Sequence, residues 1–154
     1  MIQKVDWYDS TFALPPARFE AGTPNMAGAI GLAAALEYVS GLGLHDIQVH
    51  VEDLTVRALD ALKEIPGLTL YGPLSGRSGA VTFSVDGIHP HDLGQYLDRQ
   101  GVAIRGGHMC CQPLIHKLGH NALNRASFYF YNSEEDIAQL VEGIRKAISF
   151  FGRM

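Results

Sequence analysis

Two adjacent thiols, Cys110 and Cys111, are the only cysteines in the 154 residues. They lie in the run Arg105-Gly106-Gly107-His108-Met109-Cys110-Cys111-Gln112-Pro113. A cysteine works as a nucleophile through its thiolate, and nearby positive charge favours that form; Arg105 and His108 are the local sources. Gly106 and Gly107 allow backbone turns closed to other residues. The run follows a short apolar segment and ends at a proline, so it reads as a loop at the end of a sheet, where functional groups concentrate. A Cys/His hydrolase built on Cys110 and His108 is the weaker chemistry, because no separate Asp or Asn is placed to orient the base. Zinc would draw on the cysteines with His108 and His116, but an adjacent pair lacks the spacing of structural zinc sites. The plain alternative is a surface loop with a buried cysteine pair and an incidental histidine.

The elements that must position this loop follow from hydrophobic period. Residues 1–22 show no convincing period, contain Pro15-Pro16, and read as an extended arm that needs a surface to lie on. Thr23 is the expected N-cap of a first helix, with Pro24 in its first turn. Residues 26–39 are small and apolar nearly all round, which predicts a helix buried on most sides. A second helix, 45–64, carries Ile47, Val51, Leu54, Ala58, Ala61 and Leu62 on one face and stops at Pro66-Gly67. The period then shortens to that of strands at 68–71 and 80–85, with a Gly/Pro/Ser loop at 72–79 between them. A short helix over 91–100, a third strand at 102–104, a fourth at 125–130 and a last helix opening at Asn132-Ser133 complete the chain. The pattern predicts an α+β fold: a small, mainly antiparallel sheet with helices on one face. Val81, Phe83 and Val85 alternate with Thr82 and Ser84, so the second face is expected to be moderately polar. The expected division is an arm or interdomain segment at 1–22 and a small domain at 23–154.

Composition narrows the function classes. The apolar share is 47%, the charged share 18% and the net charge −4, values of an ordinary globule rather than a disordered tail. No basic cluster marks a nucleic-acid footprint. No apolar run reaches the roughly 20 residues of a membrane span. The first residues lack the apolar core of a signal peptide, and adjacent cysteines seldom bridge one another because a disulfide wants Cα atoms ~5.5 Å apart. A reducing, cytoplasmic setting is the expectation.

The run RGGHMCCQP resembles the R-x-G-H-x-C-x-x-P segment of SufS-type (group II) cysteine desulfurases and selenocysteine lyases, in the class V aminotransferase superfamily. Residues 18–25, RFEAGTPN, resemble a signature of the same enzymes, and Arg125-Ala126-Ser127 followed by Tyr131-Asn132-Ser133-Glu134-Glu135 resembles a third. The three motifs fall in family order, and the likeness runs nearly end to end over what would be the C-terminal domain only, the small domain of fold-type I pyridoxal phosphate enzymes.

The resemblance implies roles. Cys110 matches the catalytic cysteine, which takes sulfur from L-cysteine as a persulfide for iron–sulfur cluster assembly and releases alanine. Arg125 matches the arginine that grips the substrate carboxylate, a contact for which a planar guanidinium suits better than lysine. Arg105 and His108 match supporting loop residues. Gly22 and Thr23 match the pair that reaches the cofactor phosphate of the neighbouring subunit, and a Gly-Thr turn at a helix start has free N–H groups for an anion. Met109 replaces the histidine common at its position, and Cys111 stands where a small residue is usual. In the family, pyridoxal phosphate is held by a lysine of a large domain. None of Lys4, Lys63, Lys117 or Lys146 has that context, so no cofactor is expected to be bound covalently by this chain, and the chain alone is expected to be inactive. The implied partners are the missing cofactor-binding domain, a second copy in a homodimer, and a SufE/SufU-type sulfur acceptor. A non-catalytic module that binds a desulfurase or an acceptor protein is the other reading.

Overall fold

A computed structural model describes residues 1–152, and these divide into two compact units, Met1–Gly43 and everything from Leu44 onward. The first helix, which the sequence reading grouped with the residues that follow it, therefore lies in the first unit.

In the first unit, strands β1 (Ile2–Val5) and β2 (Ser10–Phe12) form an antiparallel hairpin. The Asp6 and Asp9 carboxylates tie its turn by accepting from the N–H groups of Trp7 at 2.8 Å and Ser10 at 2.7 Å. The arm is thus paired with itself rather than extended. A single 3-10 turn, Ala17–Phe19, leads to α1 (Met26–Leu42). The cap of α1 is Asn25, not Thr23: its side chain accepts from Gly28 N–H at 2.9 Å. Gly28 makes this possible, since a Cβ there would stand 2.5 Å from the Asn25 amide. No residue of α1 is buried, and Ile30 is 72% exposed. The expected burial of this helix is not met by these residues, because a helix apolar on every side needs neighbours on several sides.

In the second unit, α2 (Leu44–Lys63) buries Val51, Leu54, Thr55, Ala58, Leu59 and Leu62, a three-to-four repeat. Four strands follow: β3 (Leu68–Tyr71), β4 (Ala80–Val85), β5 (Arg105–Gly107) and β6 (Leu123–Ser127). All pair antiparallel in the spatial order β3-β4-β6-β5. Together with α2, the helices α3 (Pro90–Asp98) and α5 (Glu134–Phe151) supply the main core, where Leu54, Leu62, Leu93, Leu97 and Ile144 surround Phe83 and Val81. Along β4, Val81, Phe83 and Val85 are buried while Thr82 and Ser84 are half-buried, so alternate residues face opposite sides of the sheet. The α+β architecture with a small antiparallel sheet is the one the hydrophobic period implied.

The third strand is displaced. Residues 102–104 pair with no strand; Val102 N–H instead bonds back to Leu97 C=O at 3.0 Å, closing the end of α3. The chain reaches β6 only at Arg105. Behind β4, Gly79 (φ +76°) receives the Phe128 N–H at 2.7 Å, and any Cβ there would sit 2.5 Å from the Phe128 oxygen. Among the described residues, no single helix is long and apolar enough to cross a membrane.

Candidate functional site

The face of the sheet turned away from the core carries the polar chemistry. Strand register fixes which side chains share it: Tyr71 pairs with Thr82, Thr82 with Arg125, and Arg125 with Arg105. These four form one row across all four strands, with neighbouring strands ~4.8 Å apart. Leu123 and Ser84 share the same face by alternation along β6 and β4.

Arg105 and Arg125 therefore stand directly opposite each other on adjacent strands. Like charges so placed repel, and no carboxylate lies in ion-pair range of either among the described residues. Arg125 is half-buried, and its Nε is shut off from solvent without a hydrogen-bond partner. A buried, unsatisfied N–H beside a second guanidinium favours an anion between them.

Cys110 lies at the rim of this row. Arg105 Nη2 donates to Cys110 Sγ at 3.6 Å, and the thiol is exposed. The thiol sits in a tight turn: Cys111 N–H donates to His108 C=O at 2.9 Å, with φ of +54° at Met109 and +59° at Cys110. Two consecutive left-handed residues closed by such a bond make a type I′ turn, normally given to Asn and Gly. Neither residue is glycine, so the turn stores about 1–2 kcal/mol per residue. The expected loop is also more structured than its sequence suggests, running from β5 into a short helix, α4 (Gln112–Lys117). An open depression lined by Arg105, His108, Met109, Cys110 and Pro113 lies beside the thiol.

The other site residues fall as follows. The His108 carbonyl receives both the Cys111 N–H and, at 3.1 Å, the Cys111 thiol, while its ring stands edge-on to His116 at 6.2 Å. Among the described residues, its imidazole makes no hydrogen bond to Cys110. Cys110 and Cys111 are both free thiols. Gly22 (φ +81°) and Thr23 are exposed in the first unit, with open space where a Gly22 Cβ would lie. A group of residues that spacing does not reveal completes the face: Tyr71, Ser84 and His120. The Tyr71 hydroxyl lies 2.5 Å from His120 Nε2 and 3.0 Å from Ser84 Oγ. Only the alternation of β3 and β4 hints at the first two, and nothing local marks His120.

Whether these residues suit pyridoxal phosphate divides by the end of the cofactor. A lysine that bonds to it covalently must be desolvated so that its amine is free to react. All four lysines are exposed; Lys4 pairs with Asp6 at 3.8 Å, and Lys146 is held above its ordinary range by its hydrogen bond and charge contact with Glu142 at 2.7 Å. The covalent end does not fit this chain. The Gly22-Thr23 turn is exposed and uncrowded and leaves room for an anion.

The model of the aminotransferase class-V family matches residues 1–140. The probable cysteine desulfurase of Halalkalibacterium halodurans is 47% identical over 154 residues, covering 100% of this chain and 38% of that protein. The corresponding Streptomyces coelicolor protein is 44% identical over 154 residues, covering 99% of this chain and 37% of its own length. Among solved structures, the apo cysteine desulfurase from Thermococcus onnurineus NA1 superposes with a TM-score of 0.81 at 39% identity, covering 96% of this chain and 37% of that one. The Escherichia coli cysteine desulfurase CsdA, in its S-sulfonic acid form, gives 0.81 at 34% identity, covering 97% and 37%. The chain thus spans little more than a third of the length of these relatives, and it belongs to the aminotransferase class-V family, among relatives named as cysteine desulfurases.

Proposed function

We propose that this chain is the C-terminal, cysteine-bearing portion of a SufS-type cysteine desulfurase that moves sulfur from L-cysteine onto Cys110. The observation that carries the reading is the row Arg125–Arg105 with Cys110 against it: two unpaired guanidiniums on one open face, one donating to the sulfur of an exposed thiol. The likeness to cysteine desulfurases supports the desulfurase reading, and the C-terminal placement rests on the order of the three motifs along the sequence.

Arg125 binds the substrate carboxylate, its fork matching the two oxygens. Arg105 donates to Cys110 Sγ and orients the sulfur before attack. The Cys110 thiolate then attacks the substrate sulfur: an S–S bond forms, the substrate C–S bond breaks, and the released electron pair goes to the carbon, which takes up a proton and leaves as alanine. Pyridoxal phosphate, which the lysine-bearing portion would hold, would supply the electron sink. Gly22 and Thr23 would meet its phosphate across a homodimer, a role that their exposure and the open space at Gly22 support. The persulfide on Cys110, exposed at the rim, is open to a SufE/SufU-type acceptor in a reducing cytoplasm, and the chain by itself is inactive.

The test is alanine formation from L-cysteine by the complete protein, the chain together with its lysine-bearing portion. Turnover is expected to fall to background in Cys110→Ser and to be absent from the isolated chain supplied with the cofactor. Full turnover by Cys110→Ser, or by the isolated chain, would overturn the reading.

A further inference from the structure

We propose that Tyr71, Ser84 and His120 form a clasp that pins the far end of the Cys110 loop across the open face of the sheet and so positions the thiol for sulfur transfer. The inference rests on the sulfur-transfer role of Cys110 and adds three positioning residues to it.

Strand order shows why a clasp is needed. The loop leaves the sheet at β5, one edge, and returns at β6, the strand beside it. Anchored only at those two neighbours, the segment 108–122 would be free to swing away from the sheet. Instead the loop's His120 meets the side chain of Tyr71, from β3 on the opposite edge, at 2.5 Å with the rings edge-to-face at 5.0 Å. A tyrosine hydroxyl both donates and accepts, so Tyr71 bridges His120 to Ser84 on the adjoining strand.

Local geometry delivers His120 to this position. At the end of α4 the Gly119 N–H bonds to His116 C=O at 2.9 Å and the His120 N–H to Ile115 C=O at 3.1 Å. With Gly119 at φ +81°, this pair of bonds is a Schellman motif. Between the two anchors, Ile115 (3% exposed) and Leu123 (0%) are buried yet lie outside the main core cluster. Leu123 is on the open face by alternation, so the loop has its own small apolar support there. The loop is thereby held at Arg105–Cys110 on one edge and at Tyr71–His120 on the other, all three of the new residues being half-buried. Sulfur transfer is sensitive to placement: a shift of about 1 Å costs on the order of a hundredfold in rate.

The test uses the complete protein in a Cys111→Ser background, where the serine hydroxyl keeps the donor to the His108 carbonyl and Cys110 is the one thiol of this chain left to label. Hydrogen exchange of amides 108–122 and iodoacetamide labelling of Cys110 are followed in Tyr71→Phe, Ser84→Ala, His120→Leu and the double variant Tyr71→Phe/His120→Leu. Exchange in 108–122 is expected to rise about fivefold to tenfold in Tyr71→Phe, the effect of one lost hydrogen bond, with β3, β4 and α5 unchanged. Labelling of Cys110 rises with it. The double variant is no worse than His120→Leu alone, Ser84→Thr restores the loop, and kcat for alanine formation falls while KM for cysteine holds because Arg125 is untouched. Unchanged loop exchange, loosening spread evenly over the domain, additive losses in the double variant, or KM moving in place of kcat would each overturn the clasp. Sulfur gain on Cys110 in the parent protein is scored separately: its absence refutes the transfer role itself, whereas its presence with an indifferent loop refutes only the clasp.

Discussion

Arg125 is the residue whose surroundings are most informative. Its Nε is buried without a partner and one of its two cross-strand neighbours is another guanidinium, an arrangement that costs stability until an anion fills it. The carboxylate of the proposed substrate would satisfy both the charge and the fork. Replacing Arg125 by Lys keeps the charge and loses the paired N–H donors, so kcat/KM for cysteine in the complete protein is expected to drop about 10- to 100-fold, the equivalent of one charge-assisted hydrogen bond. Most of the loss should lie in KM, and steady-state kinetics on the variant read this directly. Cys110 is a different case. Its backbone is held left-handed beside an equally left-handed Met109, and strain of this kind persists only where the surrounding structure over-determines it. Arg105 on one side and the two bonds from Cys111 to the His108 carbonyl on the other supply that constraint.

At the scale of elements, period and caps decided what could be read in advance. The helix α2 and the strands β3 and β4 follow their apolar spacing closely, because each buries one face in the shared core. The last helix opens with a capping box: Ser133 N–H donates to the Asp136 carboxylate at 3.0 Å, and Asn132 Nδ2 donates to the same oxygen at 3.0 Å. These bonds, Asn132 first, hold the Asp136 carboxyl below the usual carboxylate range. Its folded pKa is thus lower than its unfolded one, so the stabilisation is complete above the unfolded pKa of about 3.9 and is lost as pH falls through the folded value. Asp136→Asn is expected to cost up to about 1 kcal/mol in urea denaturation at pH 7, and the gap from the parent should close in acid; a gap that persists unchanged at low pH contradicts this.

Other elements were hidden for physical reasons. The strand β5 is Arg-Gly-Gly, three residues with no β-forming side chain, and it exists because β6 offers it hydrogen bonds. The cap of α1 fell to Asn25 because Gly28 lets that amide in close. The site residues legible in the sequence were those carried by motif resemblance, Cys110, Arg105 and Arg125. The contact between Tyr71 and His120 joins residues 49 apart, and only tertiary folding brings such residues together.

At the scale of the whole molecule, the first unit carries large apolar side chains that are exposed among the described residues. Trp7 is 92% exposed, and Phe19, Ile30, Leu32 and Leu36 are exposed as well. Surface of this kind marks a protein–protein contact, and the proposed occupant is the lysine-bearing portion of the enzyme together with the second subunit. The amides of α1 are therefore expected to exchange rapidly in the isolated chain and to gain protection of at least about a hundredfold when the complete protein forms; equal protection in both would show that α1 needs no such cover. The polar sheet face with its arginine pair, in the second unit, calls for a different kind of complement, a small anionic substrate held against a thiol. The measurement that tests this most directly is the mass of the tryptic peptide bearing Cys110, taken from the complete protein after brief exposure to L-cysteine and without reductant. The account predicts a gain of one sulfur atom, located on Cys110 by fragmentation and removed by dithiothreitol, with no gain on any peptide in Cys110→Ser. A peptide of unchanged mass while alanine is being produced, or sulfur that still accumulates elsewhere in Cys110→Ser, would contradict it.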